Sequence, residues 1–176
     1  RGSSIIRIGL EPNGDWFPWR TTAATAEDFR QAYRRVAGIF KAESKSFVID
    51  FDIACGVGLS GSPDPMAPLT ALYPGDDVVD VIGCDTYDHS DMKVETGIAS
   101  LGKTKSGPGV MDVLTFARSR GKPMSIPEWG LDARHGSGDN APYVALMRTF
   151  LEANGKDILF ENYFNEPGTD LRSSIW

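Results

Sequence analysis

Two glutamates stand where carboxyl chemistry has company. Glu11 opens the run Glu11-Pro12-Asn13-Gly14-Asp15-Trp16-Phe17-Pro18-Trp19, and Glu128 lies in Pro127-Glu128-Trp129-Gly130. Each follows a short β-rich segment, and each has indole rings beside it. Cleaving a glycosidic bond takes such a pair, one carboxylic acid to protonate the leaving oxygen and one carboxylate to meet the oxocarbenium-like carbon. A separation of about 5 to 5.5 Å lets the second attack the sugar and retain its stereochemistry, whereas about 9 Å leaves room for a water and inverts it. Trp16, Phe17, Trp19 and Trp129 offer flat walls for the C–H faces of pyranose rings. A tryptophan can equally be a large side chain bordering a core. Beside the glutamates, Trp16 and Trp129 are read as site residues, and Trp19 fits either description.

Strands and helices alternate along the chain to carry these residues. Residues 4–10 form a β-rich run ending in the turn cluster that begins at Glu11. A helix follows, capped by Thr25 with Asp28 three residues on, and Phe29, Tyr33, Val36 and Phe40 mark its apolar stripe. The next strand is 47–51, followed by a loop rich in Gly and Pro. Residues 78–84 form a near-continuous apolar strand of the kind buried on both faces in parallel sheets. A helix over 109–120 stops at Gly121, and strand 123–127 leads to Glu128. Asp139 or Asn140 caps a last helix that Asn154-Gly155 closes, and 158–163 is the fifth strand. Such an order implies parallel crossovers, hence a doubly wound sheet or a barrel. With no Gly-x-Gly-x-x-Gly turn and no phosphate loop, the barrel is favoured, and barrel chemistry sits at the C-terminal strand ends.

Composition narrows the classes of partner. The chain has 18 Lys and Arg against 24 Asp and Glu, a formal charge of −6, with no basic cluster interleaved with aromatics, so nucleic acid is not expected as a partner. Its apolar runs are broken by Asp and far too short to cross a membrane. The 176 residues fall below the roughly 250 of a whole barrel, so the chain reads as part of one. Cys55 and Cys84 lack metal spacing and are read as buried free thiols in preference to a disulfide. His89 and His135 are far apart in sequence and suggest no metal. Among rival carboxylates, Asp50 and Asp52 are read as structural or substrate-binding, and Asp76 and Asp77 as caps at the wrong end of a strand. Asp85, Asp88, Asn162 and Asn165 stand at the right end to bind sugar hydroxyls.

The segment from Glu11 to Trp19 resembles the Glu-x-Asn-Gly-x-Trp-[Tyr/Phe]-Pro-Trp stretch after barrel strand four in glycoside hydrolase family 26, the β-mannanase family of a large retaining clan. Three further segments resemble the same family in the same order. They are Tyr73-Pro74-Gly75-Asp76-Asp77 with Val79 to Gly83 and Asp85-Thr86-Tyr87, then Lys122-Pro123 with Pro127 to Gly130, and Asn162-Tyr163-Phe164-Asn165. The resemblance implies a (β/α)8 TIM barrel of which strands four to eight are present, residues 1–176 being one partial catalytic domain. It implies a retaining, endo-acting β-glycosidase for a polysaccharide such as mannan, without cofactor or metal, secreted, and partnered by the N-terminal half of its barrel. Glu11 becomes the acid/base, Glu128 the nucleophile, Trp16 a sugar-stacking residue and Tyr87 a hydroxyl bonded to the nucleophile. Asn13, Trp19, Trp129, Asp85 and Asn162 join the substrate-binding set. An apolar wall and the charge of Glu128 should keep Glu11 protonated, while Tyr87 and Arg7 should keep Glu128 ionised. Leu10 stands where mannanases of the family commonly carry His, which leaves β-glucan and xylan open as substrates and a non-catalytic carbohydrate-binding barrel as the rival class.

Overall fold

The computed structural model describes residues 3–89, 97–136, 138–168 and 172–174. Its elements are β1 (Ser4–Arg7), α1 (Ala26–Glu43), β2 (Phe47–Ala54), a short α2 (Ala67–Thr70), β3 (Val81–Asp88), α3 (Val110–Ser119), β4 (Met124–Leu131), α4 (Ala141–Asn154) and β5 (Ile158–Tyr163). All neighbouring strands pair in parallel in the order β1-β2-β3-β4-β5, a half-barrel.

The two faces of the sheet follow from period-two alternation. On β2, Ile49, Phe51 and Ile53 are buried under the helices, where Tyr33 of α1 meets Phe51 edge-on at 6.0 Å. Asp50 and Asp52 point the other way, Asp52 to Arg7 of β1 and Asp50 across β3 to Ser125 of β4. On β3, Ile82 and Cys84 belong to the apolar face, while Asp85 and Tyr87 belong to the polar one. Every residue of β3 is buried, the polar Asp85, Thr86 and Asp88 included.

Strand β4 departs from this rule. Met124 and Ile126 face the apolar core and Ser125 faces Asp50, so strict alternation would turn Glu128 outward, towards the helices. The β4–β5 pairing shifts register between Ile126 and Trp129, and Glu128 emerges on the polar side. Irregularities of this kind commonly re-aim a side chain beside a functional site.

Strand positions refine the expected limits. β2, β3 and β4 each run three or four residues further than composition suggests, so Asp85, Tyr87, Glu128 and Trp129 lie on strands and not after them. Hydrogen bonds of the sheet continue there because a parallel neighbour still supplies partners, β3 to the end of β2, and β3 and β4 to each other. β1 stops early at Arg7, and Gly9 takes φ +54. On α1 the buried face is Ala26, Tyr33 and Ala37, with Phe29 and Phe40 partly covered; Val36 is exposed, contrary to the stripe read from spacing. Thr25 does not cap α1 by its side chain; its Oγ1 accepts instead from Thr22 N–H in the preceding turn. Asn140, not Asp139, caps α4, its Oδ1 accepting from Tyr143 N–H.

Cys55 and Cys84 form a disulfide, which corrects the reading of two free thiols. Parallel pairing sets Ile53 opposite Cys84, and Cys55 N–H continues the ladder to Asp85 C=O, so the two Cα atoms come within 5.6 Å. That is within bridging distance.

Candidate active site

Arg7 gathers the strand ends. From β1 its Nη1 donates to Glu128 Oε1 at 2.7 Å, and its Nη2 reaches Asp52 Oδ2 at 2.7 Å and Asp85 Oδ2 at 2.5 Å. One guanidinium thereby orders carboxylates from three strands, a task suited to its fixed fork of donors. Burial alone would lower its pKa, but Asp52, Asp85 and Glu128 together hold it above the ordinary arginine range. Burial and the nearby charge of Asp52 push Asp85 well above the usual carboxylate range, against the pull of Arg7. Glu128 receives a second donor, the Tyr87 hydroxyl, at 2.8 Å from Oε2. Burial and the adjacent carboxylate raise the Tyr87 pKa, so its proton stays in place.

Below this layer Asp50 is fully buried and pushed up to about 8, by burial first and by Asp52 second. Ser125 Oγ lies 2.9 and 3.0 Å from its two carboxyl oxygens. Gly83 leaves the space for that pair, since a Cβ there would stand 2.3 Å from Ser125 Oγ.

Glu11 occupies a different environment. Its backbone takes φ +49, a strained conformation for a residue with a Cβ, held by the Gly14 N–H bond to Glu11 C=O at 3.0 Å. Its pKa is raised to about 7 by burial and by the charges of Asp52 and Glu128; Trp16 and Arg7 oppose the rise. The indole N–H of Trp16 donates to Glu11 Oε2 at 2.7 Å, and Gly14 makes this possible, because a Cβ there would lie 2.4 Å from the Trp16 ring.

The glutamates face one cleft of about 580 Å3, whose lining includes Trp16, Phe17, Asp85 and Tyr87. Other residues of the expected binding set make contacts within the scaffold. Asn13 donates to Ala54 C=O and Val57 C=O and accepts from Ala54 N–H, all within 2.9 Å, so its amide is committed to tying the loop after β1 to the end of β2. Trp19 stacks on Phe17 at 4.6 Å and donates to Leu10 C=O, outside the cleft lining. Trp129 packs edge-on against Tyr163 and hydrogen-bonds Glu161, also outside it. Asn162 Nδ2 reaches Pro127 C=O at 3.3 Å, and Asp88 binds the Asn140 side chain that caps α4. Asp52 serves Arg7, and Asp77 pairs with Arg34 at the far end.

Sequence reading missed one cluster on the cleft wall. His89 and His135, distant along the chain, both meet Asp132. The available signal was positional: His89 lies two residues after Tyr87, and Asp132 four after Glu128. Among the described residues no group of three His, Cys, Asp or Glu side chains is arranged to hold a metal ion.

Residues 4–122 match the model of the family described as Glycosyl hydrolase family 26. A mannan endo-1,4-beta-mannosidase of Bifidobacterium adolescentis is 27% identical over 186 aligned positions, covering 94% of this chain and 18% of the relative. Two solved structures share the fold. A beta-mannanase from Bacteroides ovatus superposes with a TM-score of 0.65 at 18% identity, over 97% of this chain and 43% of that one. The catalytic domain of an endo-beta-1,4-mannanase from Bacillus sp. JAMB-750 gives 0.66 at 23% identity, over 98% and 44%. The chain therefore spans less than half the length of each of these three relatives.

Proposed function

The chain belongs to glycosyl hydrolase family 26, and from that premise we propose that it forms strands four to eight of a retaining, endo-acting β-glycosidase that cuts a β-linked polysaccharide such as mannan. The observation that carries this reading is the unequal treatment of two carboxyls in one cleft. Burial holds Glu11 to about 7, so it keeps a proton near neutral pH, while Glu128 accepts hydrogen bonds from Arg7 and Tyr87 on its two oxygens. Two carboxyls set in such different surroundings suit the separate roles of acid and nucleophile.

In the first step a Glu128 oxygen bonds to the anomeric carbon as the bond to the leaving oxygen breaks, and Glu11 transfers its proton to that oxygen. In the second, Glu11, now a carboxylate, takes a proton from water, whose oxygen displaces Glu128 from the carbon. Stereochemistry is inverted twice and so retained. Trp16, half exposed beside Glu11, gives a face for a sugar ring.

Mannan is favoured by the named activity of the Bifidobacterium relative. Leu10 keeps β-glucan and xylan as alternatives, since its side chain lines no part of the cleft. Secretion is part of the proposal, supported by the Cys55–Cys84 disulfide, a bond that persists in oxidising compartments. The other half of the barrel is the proposed partner, since β1 and β5 each present an unpaired edge among the described residues.

Hydrolysis of mannan, mixed-linkage β-glucan and xylan by the protein with a complete barrel, beside its Glu128→Ala variant, tests the reading. Sugar release by wild type alone supports it; equal release by both sinks the mechanism. Binding without release by either points to the carbohydrate-binding alternative.

A further inference from the structure

Three side chains beyond the Glu11–Glu128 machinery meet on the cleft wall. Asp132 is fully buried, and its Oδ1 accepts the backbone N–H groups of Arg134 at 3.0 Å and His135 at 2.7 Å. Its Oδ2 faces Nδ1 of His89 at 3.1 Å and Nδ1 of His135 at 3.3 Å. The histidines come from different loops, after β3 and after β4, joined by an antiparallel bridge between His89 and Gly136. Contact there is so close that a Cβ on Gly136 would lie 1.7 Å from Asp88 C=O.

A carboxylate at Nδ1 draws a ring proton to that nitrogen, and in the neutral ring this leaves Nε2 as an acceptor. Both histidine side chains remain accessible, 46% for His89 and 56% for His135, and both line the cleft. Glu166, on the same lining, has a buried Oε2 without a partner among the described residues. Acceptors held in fixed directions around a cleft suit a ligand rich in neutral hydroxyl donors.

Position along the cleft follows from the chemistry. The leaving chain departs past its proton donor, hence past Glu11, Trp16 and Phe17. The retained sugar is held over Glu128 and Tyr87, and the Tyr87 ring lies 6.2 Å from that of His89. Asp132 and His135 follow Glu128 in the same chain segment. We infer that His89 and His135, oriented by Asp132, bind hydroxyls of the second sugar on the retained side of the scissile bond and so set the preference for longer chains. This rests on the assignment of Glu11 and Glu128 given above.

The test compares a β-1,4-linked tetraoside of the polymer that wild type cuts best with an aryl β-glycoside of one such sugar. In His135→Ala the ratio of kcat/KM for tetraoside over aryl glycoside falls about 10- to 100-fold, as expected for one or two lost hydrogen bonds. His89→Ala, on the other loop, shifts the same ratio in the same direction. If both variants fold and the ratio stays at the wild-type value, the cluster only ties loops together and the inference is overturned. Should wild type cleave neither substrate, calorimetry with mannotetraose, cellotetraose and xylotetraose replaces turnover. Weaker binding by His135→Ala then upholds the subsite while the catalytic assignment falls; equal binding, or none, removes the subsite as well.

Discussion

Arg7 Nη1 stands 2.7 Å from Glu128 Oε1, and the same guanidinium holds Asp52 and Asp85. Losing this cation leaves three carboxylates facing one another in a partly buried layer. Arg7→Ala is therefore expected to cost stability on the scale of about 3 to 5 kcal/mol, the penalty for orphaning buried partners of an ion pair. Arg7→Lys keeps the charge but cannot reproduce the fork, so it should retain most of the stability while kcat falls roughly 10- to 100-fold through misorientation of Glu128. Denaturant unfolding together with steady-state kinetics on both variants separates the two effects. Wild-type kcat in Arg7→Lys would show that the fork is dispensable.

The protonation of Glu11 sets a pH dependence. Activity that needs the acid form should decline above about pH 7, where the buried carboxyl loses its proton. Trp16 donates to the ionised form and so opposes the rise in pKa. Removing that donor in Trp16→Phe should move the alkaline limb of kcat/KM to higher pH. A limb that stays in place, or moves down, contradicts the assignment of Glu11 as the acid.

Stability carries the same signature with a definite sign. Glu11 binds its proton up to about 7 in the folded chain, against 4.5 for the unperturbed group. Between those values the folded state holds more protons than the unfolded one, so stability falls as pH rises through the window. Glu11→Gln removes this penalty. It should raise stability by about 3 kcal/mol at pH 8 and by little below pH 4.5, at the cost of activity. Urea midpoints of both proteins at pH 4.5 and pH 8 measure it, and an equal change at both pH values rules out the titration of Glu11 as the cause.

Much of the scaffold was legible because alternation and helical spacing report burial directly. Asp50 and Asp52, two residues apart in an apolar run, already marked one polar face of β2. What stayed hidden depends on register. The Cys55–Cys84 bond joins residues 29 apart that only the β2–β3 pairing brings together. Trp129 is adjacent to Glu128, yet the register shift that turns Glu128 to the polar face leaves Trp129 against Tyr163, away from the cleft. Asn13 was recognised by its neighbours in the motif, but its polarity serves backbone groups at the end of β2 and in the loop after it. The meeting of His89 and His135 escaped notice because a shared carboxylate, not sequence spacing, unites them.

Gly14 offers a test of how the motif works. It has no left-handed backbone requirement, so its lack of a side chain matters for space alone: a Cβ would fall 2.4 Å from the Trp16 ring. Gly14→Ala should push the indole off Glu11, lowering kcat/KM roughly tenfold and moving the alkaline limb upward as Trp16→Phe does. Wild-type tryptophan fluorescence together with a wild-type pH profile would mean that the loop absorbs the methyl group and that Gly14 has no such role.

The disulfide ties the C-terminal ends of β2 and β3 beside the cleft, with Cys55 on the lining. Closing a loop of 29 intervening steps restricts the unfolded chain, and the loop-entropy relation gives about 3 to 4 kcal/mol for that length. Reduction, or the double change Cys55→Ser and Cys84→Ser, should therefore lower the thermal midpoint by several degrees. Activity at 25 °C should persist, because Arg7 and Asp85 sit in their own strand pairings and ion pairs tie Arg7 to Asp85 and Glu128. Calorimetry with and without reductant measures the first expectation, and kinetics of the double variant measures the second. A loss of kcat that exceeds the unfolded fraction would mean that the bridge also holds Asp85, its immediate neighbour along β3, in position against Arg7.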